Sequence, residues 1–268
     1  MLEAQWEQGK FLCVGLDCDF EKIPKHLHKG SIREVLVTFS KAIVDATKDI
    51  VAVYKPNSAF YEAHGEEGVA ALKEISEYII GQAPAVPIIL DAKRADIGNT
   101  NAGYVDSIFN HLQMDAVTVH PYLGSEAIQP FLDEKDKGVI VLCRTSNPGA
   151  AELQDLLVDG MPLYKKVAHL VAEKWNANGN CGVVVGATYP EELREVRAIV
   201  GDIPILIPGI GAQGGDLEKT VAAGKDSRGR GMIISASRSV IFASAGEDFA
   251  EAARSSARTL DESIKKAL

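Results

Sequence analysis

The chain has 268 residues, 46% of them hydrophobic and 24% charged, with a formal net charge of −9 at pH 7. That length allows one large barrel or two small domains, and the composition is that of an ordinary soluble globular protein. The acidic balance argues against a general binder of nucleic acid or anionic membranes, so an anionic ligand has to be held by a local device.

The first residues, Met1-Leu-Glu-Ala-Gln-Trp-Glu7, lack the basic-then-apolar pattern of a secretory signal. No apolar run approaches the roughly 20 residues that span a bilayer. Cys13, Cys18, Cys143 and Cys181 form no C-x-x-C pair, and three of them sit in apolar runs, so buried free thiols and a cytoplasmic location are expected.

From there to the C-terminus, apolar runs alternate with longer amphipathic segments. Strands are expected at 11–17, 50–55, 86–91, 116–120, 138–144, 181–187, 203–208 and 231–235. Helical spacing marks 32–47, where Ile32, Val35, Leu36, Phe39, Ile43 and Val44 recur every three or four residues. Similar patterns occupy 65–80, 98–112, 163–177, 190–200 and 248–266. Eight strand–helix units of roughly 33 residues suit a (β/α)8 TIM barrel of about 250 residues. A doubly wound open sheet would not place polar residues at nearly every strand end on one side. No linker or low-complexity tract divides the chain, so residues 1–268 read as a single barrel domain. The connection from 145 to 180 is longer than a crossover helix needs, which suits either a mobile lid or a tolerated insertion.

In such a barrel the carboxyl ends of the strands build the site. In order they present Asp17, Lys55, the group Asp91, Lys93 and Asp96, His120, Arg144-Thr-Ser146, Thr188, Pro208-Gly-Ile-Gly-Ala-Gln-Gly-Gly215, and Ser235-Ala-Ser-Arg238. Two carboxylates and an ammonium crowded where an apolar strand ends are costly unless they pair, and interlocked charges of that kind mark functional sites. The glycines of 208–215 let backbone N–H groups approach an anion, with Gln213 as a further donor and Arg238 following the last strand. Phosphate sites after strands seven and eight recur in this architecture.

Asp91-Ala-Lys-Arg-Ala-Asp-Ile-Gly-Asn-Thr100, Leu16-Asp17, Tyr54-Lys55-Pro-Asn57, Pro208–Gly215 and Ser237-Arg238-Ser239 together resemble the orotidine 5′-phosphate decarboxylase family, along nearly the whole chain. The Arg144-Thr-Ser-Asn-Pro148 segment and the length resemble its longer branch. Gly98 stands where many members have proline, and Ser237 where glycine is commoner. Neither departure removes a functional group.

The resemblance implies a cofactor-free decarboxylation in which Lys93 faces the developing carbanion and then protonates it, with Asp91 beside the departing carboxylate. It implies that Asp96 and Thr100 reach the site of a partner in a homodimer. Asp17 and Lys55 would hold the ribose, Lys55 also pairing with Asp91. Ser146 would contact the pyrimidine, and Gln213 and Arg238 the phosphate. No recognisable site for pyridoxal phosphate or thiamine accompanies these residues, and no metal is expected. His120 has no assigned role and reads as a satisfied barrel-top histidine. Sugar-phosphate enzymes resembling 3-keto-gulonate-6-phosphate decarboxylase or hexulose-phosphate synthase share the D-x-K-x-x-D pattern. They use Mg²⁺ with an acidic ligand ending strand two, where this chain has Lys55. A non-catalytic phosphate-binding barrel would need no complete charged cluster.

Overall fold

Each of the eight apolar runs becomes a strand in the computed structural model, which describes residues 1–210 and 216–268. The strands are β1 Leu12–Gly15, β2 Val53–Lys55, β3 Ile89–Arg94, β4 Ala116–Val119, β5 Gly138–Arg144, β6 Cys181–Val185, β7 Ile205–Pro208 and β8 Met232–Ala236. They pair in parallel in the order β2-β1-β8-β7-β6-β5-β4-β3. Parallel bridges Tyr54↔Ile88 and Asn57↔Asp91 bring β2 and β3 together. Tyr54 N–H donates to the Pro87 carbonyl at 3.1 Å, and Asp91 N–H to the Pro56 carbonyl at 2.9 Å. The sheet is thereby a nearly closed barrel. Leu12–Gly15, Ala116–Val119 and Cys181–Val185 are buried at every position, which is why these strands read as unbroken apolar runs rather than alternating ones.

Helices surround the strands: α1 Ile32–Thr47, α2 Gly65–Gln82, α3 Thr100–Val105, α4 Ser125–Leu132, α5 Leu163–Glu173, α6 Pro190–Val200, α7 Leu217–Gly224 and α8 Phe249–Ala267. The α1 start is a capping box, with Ser31 N–H donating to Glu34 Oε2 at 2.7 Å and Glu34 N–H to Ser31 Oγ at 3.3 Å. Two helices escape a reading by periodicity because both are short: α4 has eight residues with Pro130 inside, and α7 has eight. The helix expected at 98–112 is α-helical only to Val105 and continues as a π-helical turn, Asp106–His111. A further short helix, Leu2–Glu7, lies under the opposite mouth of the barrel. Its Trp6 Nε1–H donates to the Met232 carbonyl at 2.8 Å, and Gln5 Nε2–H to the Ala85 carbonyl at 2.6 Å. Both acceptors precede or begin strands, so this helix covers the amino ends and leaves the carboxyl ends for the site.

The strand expected at 86–91 is instead Ile89–Arg94, so the signature begins inside β3 rather than after it. The ladder to β4 pairs Leu90 with Val117 and Arg94 with Val119, so three residues of β3 bulge opposite Thr118 alone. The long segment after β5 carries structure of its own: a turn at Pro148–Ala150, a helical turn at Ala151–Gln154, and a hairpin pairing Leu157–Val158 with Met161–Pro162.

Candidate active site

Lys55 ends β2 with its side chain only 6% exposed, and a buried ammonium there demands counter-charges. Its Nζ lies 3.0 Å from Asp91 Oδ2 and 3.9 Å from Asp17 Oδ1. Lys93 Nζ lies 2.6 Å from the other oxygen, Asp91 Oδ1. The carboxylate and ammonium groups thus alternate as Asp17, Lys55, Asp91, Lys93, linking the first three strand ends. Burial opposes ionisation of Asp91, but Lys55 and Lys93 outweigh it and hold the carboxyl well below the usual carboxylate range. Burial likewise disfavours the Lys55 ammonium, and Asp17 and Asp91 more than reverse that, raising it above the ordinary lysine value.

Asp91 is fully engaged. Oδ1 accepts from Lys93 Nζ and from Thr118 Oγ1 at 2.9 Å; Oδ2 accepts from Lys55 and, at 3.4 Å, from Asn57 Nδ2. Four donors are about what a carboxylate can take, so this side chain is locked rather than available. Asp17 differs. Its Oδ2 accepts from Ser237 Oγ at 2.7 Å, while its buried Oδ1 has no hydrogen-bond partner among the described residues. Lys93 is half exposed at the rim, with φ +50, and Ala95 has φ +147; neither region is common for an L-residue.

Beyond the bulge the chain turns at Asp96. Asn101, fully buried on α3, holds this turn by accepting from Asp96 N–H at 2.8 Å and donating to the Asp96 and Ala127 carbonyls. The Asp96 carboxylate accepts from Ile97 N–H at 2.7 Å and forms no salt bridge among the described residues. Thr100 opens α3 on the exposed side. These two residues therefore stand beside the Lys55–Asp91–Lys93 array without joining it.

Ser146 lies just past β5, pressed against Gly186 at the end of β6, where an added Cβ would come within 2.7 Å of the Ser146 Cβ. Behind it, Arg144 is buried at 2% exposure with its guanidinium 4.3 Å from the Tyr189 ring centre. Arg144 Nη2 donates to Asp155 Oδ2 at 3.2 Å and Nη1 to Gln154 Oε1 at 3.4 Å; Gln154 also binds Thr145 at both N–H and Oγ1. This clamp, which sequence reading did not single out, ties the structured arm to the strand end that carries Ser146.

Of the expected phosphate loop, Pro208 ends β7 and Gly209 has φ +105, a conformation suited to glycine. Gln213 and its neighbours 211–215 lie outside the described residues. Arg238, itself exposed, begins a single helical turn, Arg238–Ile241, directly after Ser237; Val240 and Ile241 of that turn are buried, while the Arg238 guanidinium makes no hydrogen bond or ion pair among the described residues. His120 follows β4, its N–H donating to the Arg94 carbonyl at 3.0 Å, and it lines a cleft with Leu142, Cys143, Tyr164 and Trp175; it forms no ion pair among the described residues.

An eight-stranded parallel barrel whose strand ends carry an alternating array of carboxylates and lysines is a (β/α)8-barrel enzyme with its site at the carboxyl mouth. A family model described as Orotidine 5'-phosphate decarboxylase / HUMPS family matches residues 10–254. The chain is 51% identical over 266 residues to the orotidine 5'-phosphate decarboxylase of Janthinobacterium sp. (strain Marseille), covering 99% of this chain and 97% of that one. It is 49% identical over 267 residues to that of Cellvibrio japonicus (strain Ueda107), with the same coverage. The solved structure of Leishmania donovani OMP decarboxylase superposes with a TM-score of 0.87 at 39% identity, covering 99% of this chain and 97% of that chain. The chain belongs to the orotidine 5′-phosphate decarboxylase family, whose named members here are carboxy-lyases.

Proposed function

We propose that the chain converts orotidine 5′-phosphate to uridine 5′-phosphate and CO2, a step of pyrimidine biosynthesis, without metal or organic cofactor. The observation that carries this reading is the Lys55–Asp91–Lys93 array, in which one locked carboxylate holds an exposed ammonium at the rim. The bond from the pyrimidine's sixth carbon to its carboxylate breaks, CO2 departs, and the electron pair stays in the ring plane, where no π-system receives it. Lys93 faces that pair, stabilises it and gives it a proton. Asp91 stands beside the departing carboxylate, and its depressed pKa keeps it charged there.

One charge pair at about 4 Å, with an effective dielectric near 20, contributes roughly 4 kcal/mol. The most proficient enzymes lower barriers by up to about 23 kcal/mol or more, so Lys93 alone does not suffice. The remainder falls to preorganisation of the whole array and to binding energy from the distant phosphate. Gln213 and Arg238 take that phosphate, Ser146 the pyrimidine, and Asp17 and Lys55 the ribose hydroxyls. The unpartnered Asp17 Oδ1 is a ready acceptor for one of them.

The site is shared in a homodimer, Asp96 and Thr100 serving the neighbour's Lys93. Support comes from the Asp96 turn, which lies outside the chain's own array, and from Ile97, 60% exposed beside it. Tyr122, on the loop before α4, is also exposed. No helix among the described residues is long and apolar enough to cross a membrane. The four buried free thiols suit a reducing cytoplasm.

Lys55 at the end of β2 distinguishes this reading from that of a Mg²⁺-dependent sugar-phosphate enzyme, since an ammonium there repels a cation. Incubation with orotidine 5′-phosphate, followed by pyrimidine absorbance, tests it. Turnover is expected, and exhaustive EDTA treatment should leave it unchanged. No turnover, or a loss restored by Mg²⁺, would overturn the reading.

A further inference from the structure

The β3 bulge leaves backbone donors that no strand neighbour takes. Leu90 and Arg94 stay in register with Val117 and Val119, and the residues between them face one position, Thr118. That side chain is fully buried in β4, within the run Ala116-Val-Thr-Val119. Its Oγ1 accepts from Ala92 N–H at 3.1 Å and Lys93 N–H at 3.0 Å, and donates to Asp91 Oδ1 at 2.9 Å. A hydroxyl has one proton and two lone pairs, so all three capacities are used. Burying it without partners would be costly; here every partner belongs to the Asp91–Lys93 segment.

We infer that Thr118 is a positioning residue for decarboxylation, an inference that rests on the reading above. Its hydroxyl replaces the missing strand acceptors at the bulge and holds Lys93 at φ +50. The same group fixes Asp91 Oδ1, the oxygen that holds the Lys93 ammonium 2.6 Å away. One buried oxygen thus sets both ends of the Lys93 side chain: its backbone origin and the carboxylate on which its tip rests. Valine would fill the same volume among valines and supply none of these bonds, so the contribution is the hydroxyl rather than packing.

Thr118→Val, Thr118→Ser and Thr118→Cys separate the two. A hydrogen bond to a charged group carries enough energy for kcat to fall by about 10- to 100-fold in Thr118→Val, with KM changed by no more than about threefold because substrate-binding side chains are untouched. Thr118→Ser should recover most of the rate. Amide exchange at Ala92 and Lys93, read without substrate, should accelerate by about tenfold or more in the valine variant and return in the serine one. Should the valine variant not fold, Thr118→Cys serves, its weak thiol acceptor predicting a kcat clearly below that of Thr118→Ser. A purely structural threonine would lower thermal stability while leaving kcat per folded molecule and the two amides unchanged, and that result would overturn the inference. If wild type does not turn over orotidine 5′-phosphate, the decarboxylase reading falls, and with it the catalytic role of Thr118. The exchange measurement would still decide whether its hydroxyl fixes the bulge.

Discussion

Lys93 is the residue whose removal separates chemistry from fold, because its ammonium stands half exposed at the rim while its partner Asp91 is mostly covered and held by three other donors. Lys93→Ala should leave thermal stability close to wild type and cut kcat/KM by at least about a thousandfold, the equivalent of roughly 4 kcal/mol. Near-wild-type turnover in that variant would end its proposed role. Arg238→Ala should lower kcat/KM by about 10- to 100-fold, since the proposed charged hydrogen bond to the phosphate would be lost far from the reacting carbon. Added guanidinium should return part of the rate; a variant that handles substrate normally would move the phosphate site elsewhere. Asp17, Lys55, Asp91 and Lys93 were legible in the sequence because charged residues ending apolar runs stand out. Thr118 was not, because a threonine inside Ala-Val-Thr-Val looks like any strand residue until the bulge opposite it is known. Nor was the bond from Ser237 to Asp17, which joins opposite ends of the chain.

Between elements, the ends of β5 and β6 are pressed together at Ser146 and Gly186, and this contact sets where the pyrimidine would meet Ser146. A Cβ on Gly186 would meet the Ser146 Cα at 3.0 Å and its N at 3.1 Å, so the backbone of Ser146 has to move. Gly186→Ala is expected to reduce kcat/KM by about 10- to 100-fold through misplacement alone, with the barrel still folded by circular dichroism. Unaltered kinetics would show that Ser146 takes no part. The eight strands were readable from the sequence because both faces of a parallel barrel are buried, giving continuous apolar runs. The helices α4 and α7 were not, being too short to repeat a pattern, and α4 contains Pro130. The end of β3 was misjudged by three residues because its charged half, Asp91 to Arg94, reads as a turn. The Arg144 clamp joins residues up to 45 positions apart, through Tyr189, and leaves no local signature.

Across the whole molecule, stability should follow its paired charges. Asp49, forked by Arg254, is lowered to about 2, and Asp91 is also depressed. A carboxyl lowered in the folded state stabilises above its unfolded value near 4 and loses that contribution as pH falls through the folded value. The raised Lys55 contributes below its unfolded value of about 10.4 and loses this only as pH rises through its higher folded value. The thermal midpoint is therefore expected to vary little between about pH 5 and 9 and to fall below about pH 4. A midpoint unchanged at pH 2 would contradict the pairing, and Asp49→Asn should show a shallower decline than wild type.

Assembly gives the sharpest test. A closed two-fold interface would build two identical sites, each with Lys93 from one chain and Asp96 from the other. Lys93→Ala and Asp96→Ala homodimers should each be nearly inactive. In a mixed dimer one site carries both lesions and the other neither. Mixing the two variants under verified subunit exchange should restore activity, up to about one quarter of wild type per total chain when pairing is random. Exchange with no return of activity would show that Asp96 acts within its own chain and that the shared site is wrong.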